Sequence, residues 1–262
     1  MARALDIAAT GMQAQQLFVD VTSQNLANIN TTSFKRLRPE FEDLIYQTLQ
    51  RAGANSADSG TIIPTGVQVG LGVKTAAIYR NNIQGPVQQT GNQLDVAIQG
   101  RGFLEIELPD GTQGYTRAGN LQLSDTGEIV TNEGYPVAPS ITIPTGTEEV
   151  TINQSGEVFA TIQGQTDPQN LGQFQLTTFL NEAGLDPLGD NIFVETTASG
   201  PATVGTPGED GVGQILQAFL ESSNVDAVTE LTNLIRAQRA YEMNSKVISK
   251  QDEMLQNLNQ SA

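Results

Sequence analysis

Few residues of this chain could do chemistry. It contains no His and no Cys, which removes the commonest general base and metal ligand together with all thiolate chemistry. Gly100-Arg101-Gly102 has the composition of a phosphate cradle, but a cradle needs a helix whose N-terminus supplies amide donors. No helix pattern follows, so the segment reads as a tight inter-strand turn. Asp125 and Glu128 could ligate calcium, yet two carboxylates at a turn without a full ligand loop are usually surface residues. No Ser sits in a nucleophile elbow, and no carboxylate pair stands apart from ordinary surface acids. No catalytic, metal-ligating or cofactor-binding residue is assigned, and no enzymatic activity is expected.

The spacing that carries information is apolar. Leu5, Met12, Val19 and Leu26 fall seven apart, with Ala8, Ala9 and Val21 beside them. Near the other end Leu220, Ala227, Leu234, Tyr241, Ile248 and Leu255 do the same, flanked by Leu231 and Leu258. A heptad stripe marks a helix that needs a partner. Leu5, Met12, Val19, Leu26, Leu234, Tyr241, Ile248 and Leu255 are therefore the candidate self-assembly residues. The first helix, Leu5 to Asn28, is Gln-rich and nearly uncharged, which suits packing on several sides because neutral amides cost less to desolvate than charges. Two helical ends around a non-helical middle suggest that the chain leaves and returns to one coiled pair; an ordinary helical hairpin on a globular core is the alternative.

Composition bounds the rest. With 262 residues, 26 Gly, no Trp and 38% hydrophobic residues, an elongated, turn-rich body is expected rather than one large core. The net charge of −16 is concentrated. From Ala118 to Ile235 there are sixteen acids and no Lys or Arg, which leaves thirteen acids to balance all thirteen bases. Nucleic acid, which requires clustered bases, is not an expected partner. Met1-Ala-Arg-Ala-Leu-Asp-Ile has no apolar core of signal-peptide length, and no run approaches a membrane span. The expectation is a cytoplasmic protein, or one exported without a cleaved signal.

Asn28, Asn30, Thr31, Thr32 and Ser33 compete for backbone hydrogen bonds and end the first helix. A short helix is expected over Phe41 to Tyr46, then a flexible loop around Arg51 to Gly60. Val67, Val69, Leu71 and Val73 alternate as in a strand, so Tyr46 to Val73 reads as a long β-hairpin or a disordered linker. Leu94, Val96 and Ile98 alternate, as do Leu104, Ile106 and Leu108 before the hairpin signal Asp110-Gly111. Closely spaced turns follow at Ser124-Asp-Thr-Gly, Asn132-Glu-Gly and Asn153-Gln-Ser-Gly156, the spacing of a β body. The expected fold class is α+β, with paired N- and C-terminal helices enclosing an elongated, mainly β middle. The expected regions are 1–36 with 220–262 (helical), 37–78 (loop or hairpin) and 79–219 (β-rich).

The run Ser23-Gln-Asn-Leu-Ala-Asn-Ile-Asn-Thr-Thr-Ser-Phe-Lys-Arg36, together with Ser223-Asn-Val-Asp226, Ala237-Gln-Arg-Ala-Tyr-Glu242 and the segment Thr90 to Leu104, resembles the bacterial flagellar axial family of rod and hook proteins. The resemblance covers essentially the whole chain. It departs at Ser33, where the family usually carries Gly, a difference that matters if the turn there needs positive φ. Tyr46 to Val73 resembles the segment that marks the family's distal-rod subunits and stiffens their tube. The resemblance implies a self-assembling subunit of a rigid drive shaft that crosses the periplasm and passes torque from motor to hook. It implies terminal helices in an inner tube, and export by the flagellar type III system. Implied partners are copies of itself, proximal-rod proteins, the hook protein, the surrounding P- and L-ring proteins and a rod cap, with no cofactor and no integral membrane segment. A hook or proximal-rod subunit is one alternative; a monomeric β-domain binding module is another.

Overall fold

The apolar spacing at the two ends gives two long helices, α1 (Ala2–Ala27) and α2 (Ala227–Ser261), in the computed structural model, which describes residues 2–50, 65–165 and 167–261. Between them the chain is mainly β, so the fold is α+β. Leu220 does not open the second helix as its heptad position suggested: it lies in a strand, Phe219–Glu221. The helix starts after Asp226, whose carboxylate accepts the Thr229 amide at 2.7 Å while its carbonyl accepts that of Glu230 at 3.0 Å. This N-cap satisfies donors that the first turn would otherwise leave bare.

The chain divides into two units, one of Met1–Ala27, Leu37–Tyr79 and Asp226–Ala262, the other of Asn28–Arg36 and Arg80–Val225. The first unit holds both helices and four strands, β1 (Leu37–Asp43), β2 (Tyr46–Gln50), β3 (Val67–Gly70) and β4 (Val73–Arg80). The short helix expected over Phe41 to Tyr46 is absent; Phe41 belongs to β1, which pairs with β4, and Tyr46 begins β2. Leu37, Pro39 and Phe41 alternate with exposed Arg38, Glu40 and Glu42, the period of a strand. β2 and β3 pair antiparallel, Tyr46 opposite Gly70. The loop expected around Arg51 to Gly60 lies outside the described residues.

The second unit is built from short strands. In chain order these are β5 (Val87–Gln89), β6 (Val96–Gln99), β7 (Phe103–Glu107), β8 (Gln113–Thr116), β9 (Gln122–Leu123), β10 (Ile129–Val130), β11 (Val137–Ala138), β12 (Thr147–Ile152), β13 (Glu157–Ile162) and β14 (Gln169–Gln173). β15 (Leu176–Thr178), β16 (Asp186–Gly189), β17 (Ile192–Val194), β18 (Thr203–Gly205), β19 (Gln214–Gln217) and β20 (Phe219–Glu221) complete the series. Among the described residues the largest sheet runs β16-β17-β8-β7-β15-β18, with β11 also on β7. Its central hairpin turns at the expected Asp110-Gly111, where Gly111 has φ 78° and its amide donates to Leu108 O. The alternating residues Val96, Ile98, Leu104 and Ile106 are fully buried and meet Leu121, Phe174, Leu176 and Ile215 in one core. A second, aromatic cluster stacks Phe103 and Tyr115 edge-on against Phe179, with ring centroids 6.0 and 4.8 Å apart. Burial, then Glu105 and Glu195, push the Tyr115 phenol up to about 12.

Candidate assembly interface

In the first unit α1 and α2 pack side by side. Gly11 lies where a Cβ would come within 2.9 Å of the Asn244 side-chain amide, so the helices approach closely at this point. The fully covered residues are small or polar: Ala8, Ala14, Val21, Thr22 and Asn25 on α1, and Glu230, Ala237 and Gln251 on α2. Glu230, Ala237, Asn244 and Gln251 fall seven apart. This heptad went unrecognised in the sequence because it is not apolar. Small residues let helix backbones come close, and the polar ones require partners, as Glu230 finds in the Asn25 amide at 3.3 Å.

The residues assigned from the apolar heptads lie beside that line. Leu5, Met12, Val19, Leu26, Leu234, Ile248 and Leu255 are half-buried, and Tyr241 is 43% exposed. Val19 and Tyr241 share a groove with Gln16, Gln238 and Glu242. The far side of α2 leaves Val228, Ile235, Met243, Val247 and Met254 in solvent, with Val228 73% exposed. The β strands of the same unit add Tyr46, Leu49, Val67 and Ile78. Exposed apolar residues in this number on one unit make it the candidate interaction surface.

The terminal signature residues have definite structural roles. Asn25 behaves like a neighbouring strand: its Nδ2 donates to Leu37 O and its Oδ1 accepts from Leu37 N, both at 2.8 Å. In the second unit Ser33 adopts φ 58°, the left-handed conformation that favours Gly, and is buried. Its Oγ donates to Arg117 O at 2.8 Å and its amide donates to Glu221 O at 2.8 Å. Asn224 joins three segments of that unit, accepting from Arg36 N at 2.7 Å and donating to Asn81 O and Ile83 O at 2.8 Å each. The Gly100-Arg101-Gly102 segment is the inter-strand turn expected, with φ of 110° and 142° at its glycines. Its carbonyls, not its amides, point at a ligand group: Gly100 O and Gly102 O accept from the Arg117 guanidinium at 2.6 and 2.9 Å. It is built for a cation, the opposite of a phosphate cradle.

The known proteins that this chain resembles agree with that architecture. Residues 5–35 match the family profile of flagella basal body rod proteins, 97–160 that of the flagellar hook protein FlgE/F/G D1 domain, and 216–261 that of the flagellar basal body rod FlgEFG protein C-terminal region. The flagellar basal-body rod protein FlgG of Caulobacter vibrioides is 57% identical over 97% of both chains. That of Agrobacterium fabrum is 51% identical over 96% of both, and that of Bacillus subtilis 39% over 98% of both. The flagellar basal-body rod protein FlgF of Caulobacter vibrioides is more distant, at 33% identity over 90% of this chain and 88% of its own length. Profiles that together take in both helices and part of the β body, and relatives alike from end to end, make this chain a member of the FlgG family of flagellar basal-body rod proteins.

Proposed function

We propose that the chain is the structural subunit of the flagellar distal rod, which polymerises into a rigid helical tube and passes torque from motor to hook. The observation that carries this reading is the apolar outer face of α2, Val228, Ile235, Met243, Val247 and Met254, which one chain leaves uncovered. A heterologous, non-closing contact between identical subunits covers such a face and generates a tube. On this reading α1 and α2 supercoil as a pair in the tube's inner wall. Leu5, Met12, Val19, Leu26, Leu234, Tyr241, Ile248 and Leu255 line the seams between copies, because they sit half-covered at the margins of the pair. The β2–β3 pairing, with its exposed Tyr46 and Leu49, reaches adjacent subunits and stiffens the wall. The remaining partners are the proximal rod, the hook protein, the P- and L-rings and a rod cap, and the site of action is the basal body across the periplasm after type III export. The role is structural and has no catalytic step.

The test is Ile235→Asp together with Val247→Asp in the full chain. Loss of rod assembly and of swimming, with the tertiary signals of Phe103 and Tyr115 unchanged, is the expected result. Normal rods and normal swimming would overturn the proposal.

A further inference from the structure

The second unit contains a buried ion cluster that assembly does not account for. The Glu221 side chain is 1% exposed and those of Lys35 and Arg117 are 6% exposed. Glu221 Oε1 accepts from Lys35 Nζ at 2.5 Å and from the Gly85 amide at 2.8 Å, and Oε2 accepts from Arg117 Nε at 2.6 Å. Two cations thus share one carboxylate. The surplus positive charge is taken up by carbonyls: Lys35 donates to Ile83 O at 3.1 Å, and Arg117 to Gly100 O, Gly102 O and Ile98 O. Burial and the Arg117 guanidinium hold the Lys35 ammonium below its ordinary pKa, against the pull of Glu221. Burial alone would raise the Glu221 carboxyl; Arg117 and Lys35 instead bring it below its ordinary value.

The residues around this cluster come from three stretches of the second unit, those up to Arg36, from Arg80 onward and up to Val225. Ser33 N donates to Glu221 O, Asn224 N to Phe34 O, Asn81 N to Arg36 O and Ser222 N to Pro86 O. A side chain at Gly85 would run into the Ser222 carbonyl, so the segments cross in direct contact. Each is tied to the other two, and Glu221 bonds to Lys35 of the first and Gly85 of the second from its own place in the third.

We propose that Glu221, Lys35 and Arg117 form an all-or-none clamp, which holds or releases segments 33–36, 81–86 and 221–224 together. The physical reason is the cost of a half-formed state. Withdrawing 33–36 or 221–224 parts a buried ion pair, and withdrawing 81–86 strips Glu221 of the Gly85 amide and Lys35 of the Ile83 carbonyl, leaving buried charges short of hydrogen bonds. Each is more expensive than opening neutral hydrogen bonds one at a time. The clamp therefore gives three segments, distant in sequence, one shared opening event separate from that of the sheets. This holds whether or not the assembly reading does.

Amide hydrogen exchange on the dilute full-length chain tests it, with Ser33, Asn81, Gly85, Ser222 and Asn224 as reporters and Leu104, Glu105 and Tyr115 as sheet controls. In Glu221→Gln the side-chain amide turns a donor towards Arg117 Nε. All five reporters should then exchange faster by a common factor, on the order of a hundredfold for a broken buried pair, with the sheet amides unchanged. Reporters that respond separately, or sheet amides that accelerate equally, would overturn the clamp. If that variant does not fold, native-state exchange of the unaltered chain in rising urea decides the matter. Convergence of the five amides on one opening reaction below that of the sheets supports the proposal, and distinct openings refute it.

Discussion

Ser33 sets two opposing terms against each other, and replacing it separates them. A non-glycine residue in the left-handed region costs about 1–2 kcal/mol, and Ser33 sits there at φ 58°. Its hydroxyl also donates to Arg117 O at 2.8 Å in a buried place. That bond contributes about 1 kcal/mol, with a further penalty if the buried carbonyl then goes unmet. Ser33→Gly relieves the strain, by about 1 kcal/mol. It loses the bond and its burial penalty, about 1–2 kcal/mol, and adds about 0.7 kcal/mol of unfolded-chain entropy. The net expectation is destabilisation by about 1 kcal/mol. Ser33→Ala relieves little strain and loses the same bond, for about 1.5 kcal/mol. Urea unfolding of the full chain, followed by circular dichroism of its β structure, should rank wild type above Gly and Gly above Ala or close to it. A glycine variant more stable than wild type would show that strain outweighs the hydroxyl, and would refute the view that the bond to Arg117 O offsets the left-handed conformation of Ser33.

Four other groups carry expectations of their own. Glu221 has a folded pKa below its ordinary 4.5, so the stability it contributes is fully present above about 4.5 and is lost as pH falls through the lower folded value. Lys35 is also lowered, from 10.5; here the unfolded chain binds more protons, and stability rises with pH between the folded value and 10.5. Urea midpoints measured against pH should show both slopes upward, and Glu221→Gln should flatten the acid one. A difference ultraviolet titration of wild type against Tyr115→Phe should place the missing phenol near pH 12 rather than at its ordinary 10.0. Asn25→Ala removes both bonds to Leu37 and one to Glu230, a loss of about 2–3 kcal/mol, and in assembled rods the Leu37 amide should exchange on the order of thirtyfold faster or more.

The parts of this fold that were legible in the sequence are those written in local periodicity. Heptads at both ends gave helices, and alternation around Val96 and Leu104 with a turn at Asp110-Gly111 gave the central strands and their hairpin. Leu220 misled because it falls in phase with α2 yet precedes the Asp226 cap. Phe41 misled because the strand period it belongs to, Leu37, Pro39 and Phe41, begins ahead of the stretch Phe41 to Tyr46. The inward line Glu230, Ala237, Asn244 and Gln251 is as periodic as the leucines, but hydrophobicity does not detect it. The ion cluster was beyond reach for another reason: Lys35 and Glu221 are 186 residues apart and Arg117 and Glu221 104 apart. In sequence Glu221 is one more acid in a block of sixteen, and only the folded chain shows that it is paired.

The crossing of the segments near Asn224 also changes the arithmetic by which α1 finds α2. Asn25 and Glu230 are 205 residues apart, and joining ends across an open loop of that length carries an entropic penalty that grows as its logarithm. Once the β unit has folded, Phe34 and Asn224 are already hydrogen-bonded, and only the short stretches from 25 to 34 and from 224 to 230 remain free. The effective loop shrinks roughly twelvefold or more, and closure becomes easier by about 2 kcal/mol, some thirtyfold in the helix-pairing equilibrium. The folded β body thus acts as a staple for ends it does not itself contain, and helix pairing is easier with it in place than without it.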